Sequence, residues 1–267
     1  MAMTLSEIWV YPVKSLGGIR LTKALTEERG LQYDRRWMII DEENVFITQR
    51  EHLKMALIDV ALTEGGLKIY LRADPTDFVL VPYQPVTALP VTVQVWDDTA
   101  EALTVSDEAD AWLTRQLDMN LRLVVMPDST ERKADPRYAR HNENVSFADG
   151  FPYLVISQAS LDDLNGRLAE PIEMRRFRPN FVISGTEPFA EDQWKRITIG
   201  DLHFEVVKPC ARCVLTTINP ETAEKGAEPL KTLASYRRNG NKILFGQNVT
   251  VQNFGELKIG DQLMVLE

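Results

Sequence analysis

The chain is dominated by short runs of β-branched and aromatic residues that stop after a few positions at glycine, proline or paired acids. Strands at such spacing, roughly one every 8–12 residues, build β-barrels and sandwiches rather than helical bundles. Residues 4–11 (TLSEIWVY) and 36–40 (RWMII) are predicted strands, ended by Pro12 and by the acids Asp41–Glu43. Residues 56–62 and 67–72 flank Gly65-Gly66 as a hairpin, the glycine pair supplying the positive φ of a tight turn. Residues 91–96 and 100–106 flank Asp97-Asp98 as another. Residues 197–207 and 257–266 share an Ile-Gly-Asp turn between apolar runs and predict two more hairpins.

Helices are few. Ser106 caps one that runs through Leu117, with Ala109, Trp112, Leu113 and Leu117 on one face. Ser160 starts a second, with Asp163 three residues on and Leu161, Leu164 and Leu168 as its stripe. Pro229 stands at a first-turn position before residues 230–238. Four prolines within 73–90 mark a linker or long loop, and a loose domain boundary falls between 75 and 105. The expected fold class is mixed and β-rich (α+β), a β-barrel with a few helices attached.

At 267 residues the chain is long enough for two modest domains. With 30 basic against 39 acidic residues it lacks the basic footprint of a nucleic-acid or membrane-surface binder, which leaves room for a small local anion pocket. No apolar run approaches the ~20 residues of a membrane span. The first residues lack the basic-then-apolar pattern of a signal peptide, so a cytoplasmic location is expected.

The only two cysteines, Cys210 and Cys213, lie three apart in KPCARCVLTTINP. A structural zinc needs four ligands, and His52, His141 and His203 form no spaced pair. A thioredoxin-like site would start a helix at the pair, whereas the β-branched run Val214–Ile218 disfavours one. Two readings remain open: a single metal-binding or sulfur-carrying thiolate, favoured by nearby Lys208 and Arg212, or two buried cysteines serving as small hydrophobes.

Three segments carry more charge than a core requires. In YPVKSLGG (11–18), Lys14, Ser15 and flexible glycine amides can form an anion cradle. In YDRRWMIID (33–41), followed by TQRE (48–51), Arg35 and Arg36 precede an apolar strand, so one of them points inward or to a pocket rim. In RRFRPN (175–180), Pro179 favours an extended path that places Arg178 and Asn180 on one side, suited to phosphate and heterocycle recognition. Each has an ordinary alternative: a solvated turn, a salt bridge to Asp34 or Asp41, or a surface basic patch.

Taken in order, YPVKS (11–15), DRRW (34–37), FADGFPYLVIS (147–157), FRPNFVISG (177–185), PCARCVLTT (209–217), EPLKTL (228–233) and FGQN (245–248) resemble the MOSC superfamily. The resemblance covers nearly the whole chain. It is nearest to the subgroup with a β-rich N-terminal MOSC domain, which includes the mitochondrial amidoxime-reducing component and bacterial reductases of N-hydroxylated compounds. It implies a smaller N-terminal domain at 1–95 and a β-barrel MOSC domain at 96–267. It also implies a molybdenum cofactor (Mo-molybdopterin), in which a pyranopterin dithiolene and one protein cysteine, Cys213, hold the metal. Lys14 and Ser15 match the positions at the phosphate end. Arg35 and Arg178 match the cationic contacts, and Asp149 and Asn180 match polar positions near the pterin. Cys210 has no implied ligand role, and pyridoxal phosphate is not expected.

The activity implied is reduction of hydroxylamines, amidoximes or N-hydroxylated bases, with Asp149 or solvent as proton donor. No ferredoxin-type cysteines and no Rossmann fingerprint are present, so a separate electron donor is expected: ferredoxin-like, flavoprotein or cytochrome. Two other readings stand beside it, a sulfur carrier using a Cys213 persulfide and a non-catalytic carrier of the cofactor.

Overall fold

The computed structural model describes residues 2–267. Among them, nineteen strands carry most of the regular structure and three short α-helices decorate it, which is the mixed, β-rich class expected. The largest sheet has nine strands. From one edge it runs Leu263–Val265, Arg196–Ile199, Leu202–Ala211, Lys242–Val251, Tyr153–Ser157, Phe181–Ser184, Thr4–Val10 and Ile19–Leu21, with the short Arg238–Asn239 pairing off Lys242–Val251. Its ends curl toward each other. Leu5 N donates to Asp261 O at 2.9 Å and Leu263 N to Met3 O at 2.9 Å, tying the first strand to the last. The one parallel pair in it, Tyr153–Ser157 with Phe181–Ser184, is joined by a crossover containing the helix α2 (Gln158–Asn165).

Strand alternation explains why this crossover is buried on both faces. Tyr153 and Val155 point into the barrel with Phe181, Ile183 and Phe204. Leu154 and Ile156 point outward under α2 and α3 (Leu230–Tyr236), against Leu161, Leu164, Leu233 and Phe245. The barrel interior is aromatic at its centre, with Tyr153, Phe181 and Phe204 ring centroids 5.5–5.8 Å apart. Fully burying each such side chain contributes about 1.5–3 kcal/mol.

The N-terminal half adds two smaller sheets. One is four-stranded, in the order Trp37–Ile40, Arg122–Val125, Asp98–Thr104, Pro90–Val95; the other pairs Ile58–Leu62, Gly66–Leu71 and Asp74–Pro82. Trp37, Ile39, Leu123 and Val125 face the three-stranded sheet and α1 (Asp107–Leu117), while Met38, Ile40, Val124 and Phe147 fill the opposite side. Ser106 caps α1 by accepting from Ala109 N at 3.2 Å, and Ala109, Trp112, Leu113 and Leu117 are buried as the spacing predicts. A division at residue 95 runs through the turn between Pro90–Val95 and Asp98–Thr104, six of whose residues on each side pair in register, so those two strands belong to one unit.

Several local expectations are corrected. Residues 73–90 are not a linker: Asp74–Pro82 is a strand at the edge of its sheet, where Pro75 and Pro82 remove no ladder bond that matters. Neither Gly65 nor Gly66 takes positive φ. Gly66 is required instead by close approach, since a Cβ there would stand 2.0 Å from Val81 O. Residues 257–266 form no hairpin, because Glu256–Lys258 pairs with Lys23–Glu27 while Leu263–Val265 pairs with Arg196–Ile199. The cap of α2 is Ser157, whose Oγ accepts from Ser160 N at 3.1 Å; Ser160 is already inside the helix. The third helix ends at Tyr236, with Pro229 in the capping position.

Candidate functional site

The barrel meets the N-terminal sheets along one seam, and the loops that leave the strands there surround a cavity of about 330 Å³. Lys14 and Ser15 follow the first barrel strand. Arg35 precedes Trp37–Ile40. Asp149 precedes Tyr153–Ser157, Arg178 and Asn180 precede Phe181–Ser184, and Cys213 follows Leu202–Ala211. All seven side chains suggested by the sequence line this one cavity although they span positions 14 to 213.

Seven basic residues line the cavity (Lys14, Arg35, Arg50, Arg178, Lys208, Arg212 and Lys242) against the single carboxylate of Asp149. In a chain of net charge −9 that is a local anion site. A larger cavity of about 610 Å³ lies across Arg178 and Leu215. Its charges are largely paired with each other, as in Asp59–Arg72 (2.6 Å) and Glu173–Arg175, so the smaller one carries the unbalanced charge.

Three of the cavity's residues hold strained backbone. Ser15, Arg35 and Arg178 take left-handed φ of 67°, 50° and 54°. Such conformations cost about 1–3 kcal/mol each and persist where the surroundings hold them. Arg35 N donates to Tyr11 O at 2.9 Å, and Arg178 N donates to Arg175 O at 3.2 Å. Arg178 therefore does not continue the extended path expected before Pro179. It reaches the cavity from a turn, and Asn180 meets it through Arg35: Arg35 donates to Arg178 O at 3.0 Å and to Asn180 Oδ1 at 3.3 Å.

Asn180 is buried and fully engaged, accepting also from Leu154 N at 3.1 Å and donating to Trp9 O at 3.2 Å. Arg35 and Arg178 both stack on the Tyr11 ring, at 4.4 and 4.2 Å. Burial, helped by the Arg35 charge, lowers the Arg178 guanidinium to about 10. Arg36 turns away to Met126 O (2.8 Å) and Asp128.

The amide cradle expected at 14–18 does not form. Lys14 N, Leu16 N and Gly17 N are bonded to Trp37 O, Val13 O and Ile58 O. Gly17 and Gly18 serve close packing: a Cβ would lie 2.2 Å from Asp59 Oδ1 or 2.3 Å from Tyr11 Cε1. The Lys14 side chain supplies the cation. Its Nζ donates to Phe147 O at 2.7 Å and to Asp149 Oδ1 at 2.6 Å. Burial lowers its ammonium to about 8, with Asp149 opposing that shift.

Asp149 is crowded by protein on one side, although 58% of its side chain is open on the other. Crowding raises its pKa, but Lys14 and Arg50 outweigh it and hold the carboxyl well below the usual range. Asp149 is thus held as an ionised anchor, which disfavours it as a proton donor.

Next to Asp149, Cys213 Sγ accepts from Arg50 Nε at 3.2 Å, and Arg50 Nη2 donates to Asp149 Oδ2 at 2.8 Å. Burial opposes the Arg50 charge, but Asp149 and Cys213 outweigh it and raise the guanidinium above its ordinary value. A continuous polar path therefore runs Lys14–Asp149–Arg50–Cys213. Sequence reasoning missed Arg50 and Trp96, whose ring lies 4.4 Å from the Arg50 guanidinium. The TQRE segment (48–51) was the available signal for Arg50. Cys210 accepts from Arg212 Nη1 at 2.9 Å and packs on the outer apolar core. Both cysteines are free thiols. A short 3₁₀ turn, Val214–Thr217, follows Cys213 despite its β-branched residues, because Thr216 and Thr217 turn their hydroxyls back onto Cys213 O and Val214 O.

A MOSC domain model matches residues 142–264, and a MOSC N-terminal beta barrel domain model matches residues 2–120. Mitochondrial amidoxime-reducing component 1 of Mus musculus is 34% identical over 98% of this chain and 82% of the relative. The Homo sapiens protein of that name is also 34% identical, over 98% and 83%. Mitochondrial amidoxime reducing component 2 of Rattus norvegicus is 33% identical, over 97% and 82%.

Proposed function

The chain belongs to the MOSC family, and on that premise we propose that it is a molybdenum-cofactor-dependent reductase of N-hydroxylated compounds that draws electrons from a separate protein. The observation that carries the reading is what lines the one cavity: the thiol of Cys213 together with a surplus of cations that includes Lys14, Arg35 and Arg178. A pterin cofactor with a terminal phosphate needs that combination, soft sulfur for the metal and cations for the phosphate. The residues fit it. Arg212, which lines the cavity, keeps a buried Nε–H without a partner among the described residues; Arg35 and Lys208 are paired with Asp34 and Asp135, whereas Arg178, Arg212 and Lys242 meet no carboxylate in salt-bridge range among those residues.

Cys213 would hold the metal. Lys14, Ser15, Arg35 and Arg178 would hold the phosphate end, with Asp149 and Asn180 fixing those cations. The bound cofactor supplies the two-electron chemistry, and the protein contributes binding, orientation and electrostatics. For a hydroxylamine the balance is R–NHOH + 2 e⁻ + 2 H⁺ → R–NH₂ + H₂O, so one N–O bond breaks and two protons enter. With Asp149 held ionised, solvent is the proton source this reading assigns. The reaction belongs in a reducing, cytoplasmic compartment that keeps Cys210 and Cys213 as thiols. The names of the relatives support the N-hydroxy substrate class.

The test is turnover of a simple hydroxylamine by molybdenum-loaded protein with reduced methyl viologen as donor. Amine formation that stops when the cofactor is removed supports the reading. Loaded protein that forms no amine contradicts it and favours a carrier.

A further inference from the structure

Arg50 and Cys213 lie 163 positions apart and come from opposite halves of the chain, yet Nε of one points at the sulfur of the other across 3.2 Å. The guanidinium is held from two sides and largely shielded from solvent. Its Nη2 is bound to Asp149 at 2.8 Å, its face rests on Trp96 at 4.4 Å, and only 18% of the side chain is exposed. Asp149 is itself pinned by Lys14 at 2.6 Å and by Trp96 Nε1 at 3.3 Å. Two of these holds fix the plane of the guanidinium, so the direction of the Nε–H bond is set before any ligand arrives. Cys210 has no such support: its donor, Arg212, comes from two residues away on the same segment.

We infer that Arg50 is a positioning residue that fixes the Cys213 sulfur and tunes it as a ligand through the Nε–H···Sγ hydrogen bond. The inference rests on the cofactor reading above. A hydrogen bond into a metal thiolate withdraws electron density from sulfur and raises the metal's reduction potential. A planar fork is needed to reach sulfur and carboxylate at once, and lysine, a point charge on a flexible stem, cannot do both.

The experiment measures the midpoint potential and the molybdenum EPR signal of loaded wild-type, Arg50→Gln and Arg50→Lys proteins, with molybdenum content determined on each. Both variants are expected to hold molybdenum, with an altered EPR signal and a potential moved to more negative values, further for Gln than for Lys. Either variant, loaded and indistinguishable from wild type in both readouts, overturns the assignment. Wild-type protein that takes up no molybdenum from a competent host overturns the cofactor reading and this inference with it. Arg50→Lys keeps the charge beside Asp149, so it serves where Arg50→Gln does not fold.

Discussion

Arg35 donates from Nη2 to the main-chain carbonyl of Arg178 at 3.0 Å, and the two guanidiniums share the ring of Tyr11. The pair is asymmetric. Arg35 is bound to Asp34, whose side chain has no solvent exposure. Arg178 has no carboxylate in salt-bridge range among the described residues, and its Nη1 donates to Leu16 O at 2.7 Å.

That asymmetry separates stability from binding. Arg35→Met leaves Asp34 buried and uncompensated, so apoprotein stability is expected to fall by about 3–5 kcal/mol. Arg178→Met removes a half-buried cation that no carboxylate balances, so urea denaturation should move by less than about 1 kcal/mol while cofactor retention falls. Equal destabilisation by both would contradict the division of labour.

Lys14 gives the site a pH dependence. Its ammonium, lowered by burial to about 8, faces Asp149, Arg50 and Arg132, with the Phe46 and Trp96 rings at 5.3 and 5.7 Å. Below pH 8 it is charged and draws a phosphate. Above pH 8 the apoprotein's affinity for the cofactor should fall, by at most about tenfold per pH unit.

For stability the sign is opposite. The unfolded chain keeps this proton up to the ordinary lysine value of 10.5, so from about 8 to 10.5 the unfolded state binds more protons and stability from this group rises with pH. Denaturation of wild type against Lys14→Met across that window checks it. A difference that does not change with pH would count against a depressed lysine.

Gly18→Ala tests the packing behind the arginines. Its Cβ would lie 2.3 Å from a Tyr11 ring that is 1% exposed and cannot swing away. The expected loss is about 1–3 kcal/mol of stability, together with weaker cofactor retention. Thermal unfolding with and without cofactor reads both.

Ser106→Ala removes the cap that accepts from Ala109 N and is expected to cost about 1 kcal/mol without touching activity. A loss of turnover in the folded variant would place α1 closer to the chemistry than its burial against the N-terminal core suggests.

What the sequence carried depended on how local each cause was. Ser106 and the spacing of Ala109, Trp112, Leu113 and Leu117 announce α1 because capping and helical period act within a dozen residues. The seven site residues were legible only as ordered motifs; nothing in their individual spacing shows that Lys14 meets Asp149, 135 positions away. Gly66 and Gly18 were read as turn or cradle residues, since a glycine required by a distant carbonyl or ring looks like one required by positive φ. Asp74–Pro82 was hidden by prolines that an edge strand tolerates. TQRE (48–51) marked Arg50 as a charged residue, but nothing local marks its partnership with Cys213, 163 positions away.

The most direct test is molybdenum content by mass spectrometry on wild-type, Cys213→Ser and Cys210→Ser proteins from a host that makes the cofactor and is fed molybdate. Near-stoichiometric molybdenum in wild type and in Cys210→Ser, with a loss of about tenfold or more in Cys213→Ser, is the predicted result. Folded wild-type protein without molybdenum, or full retention in Cys213→Ser, would contradict the account.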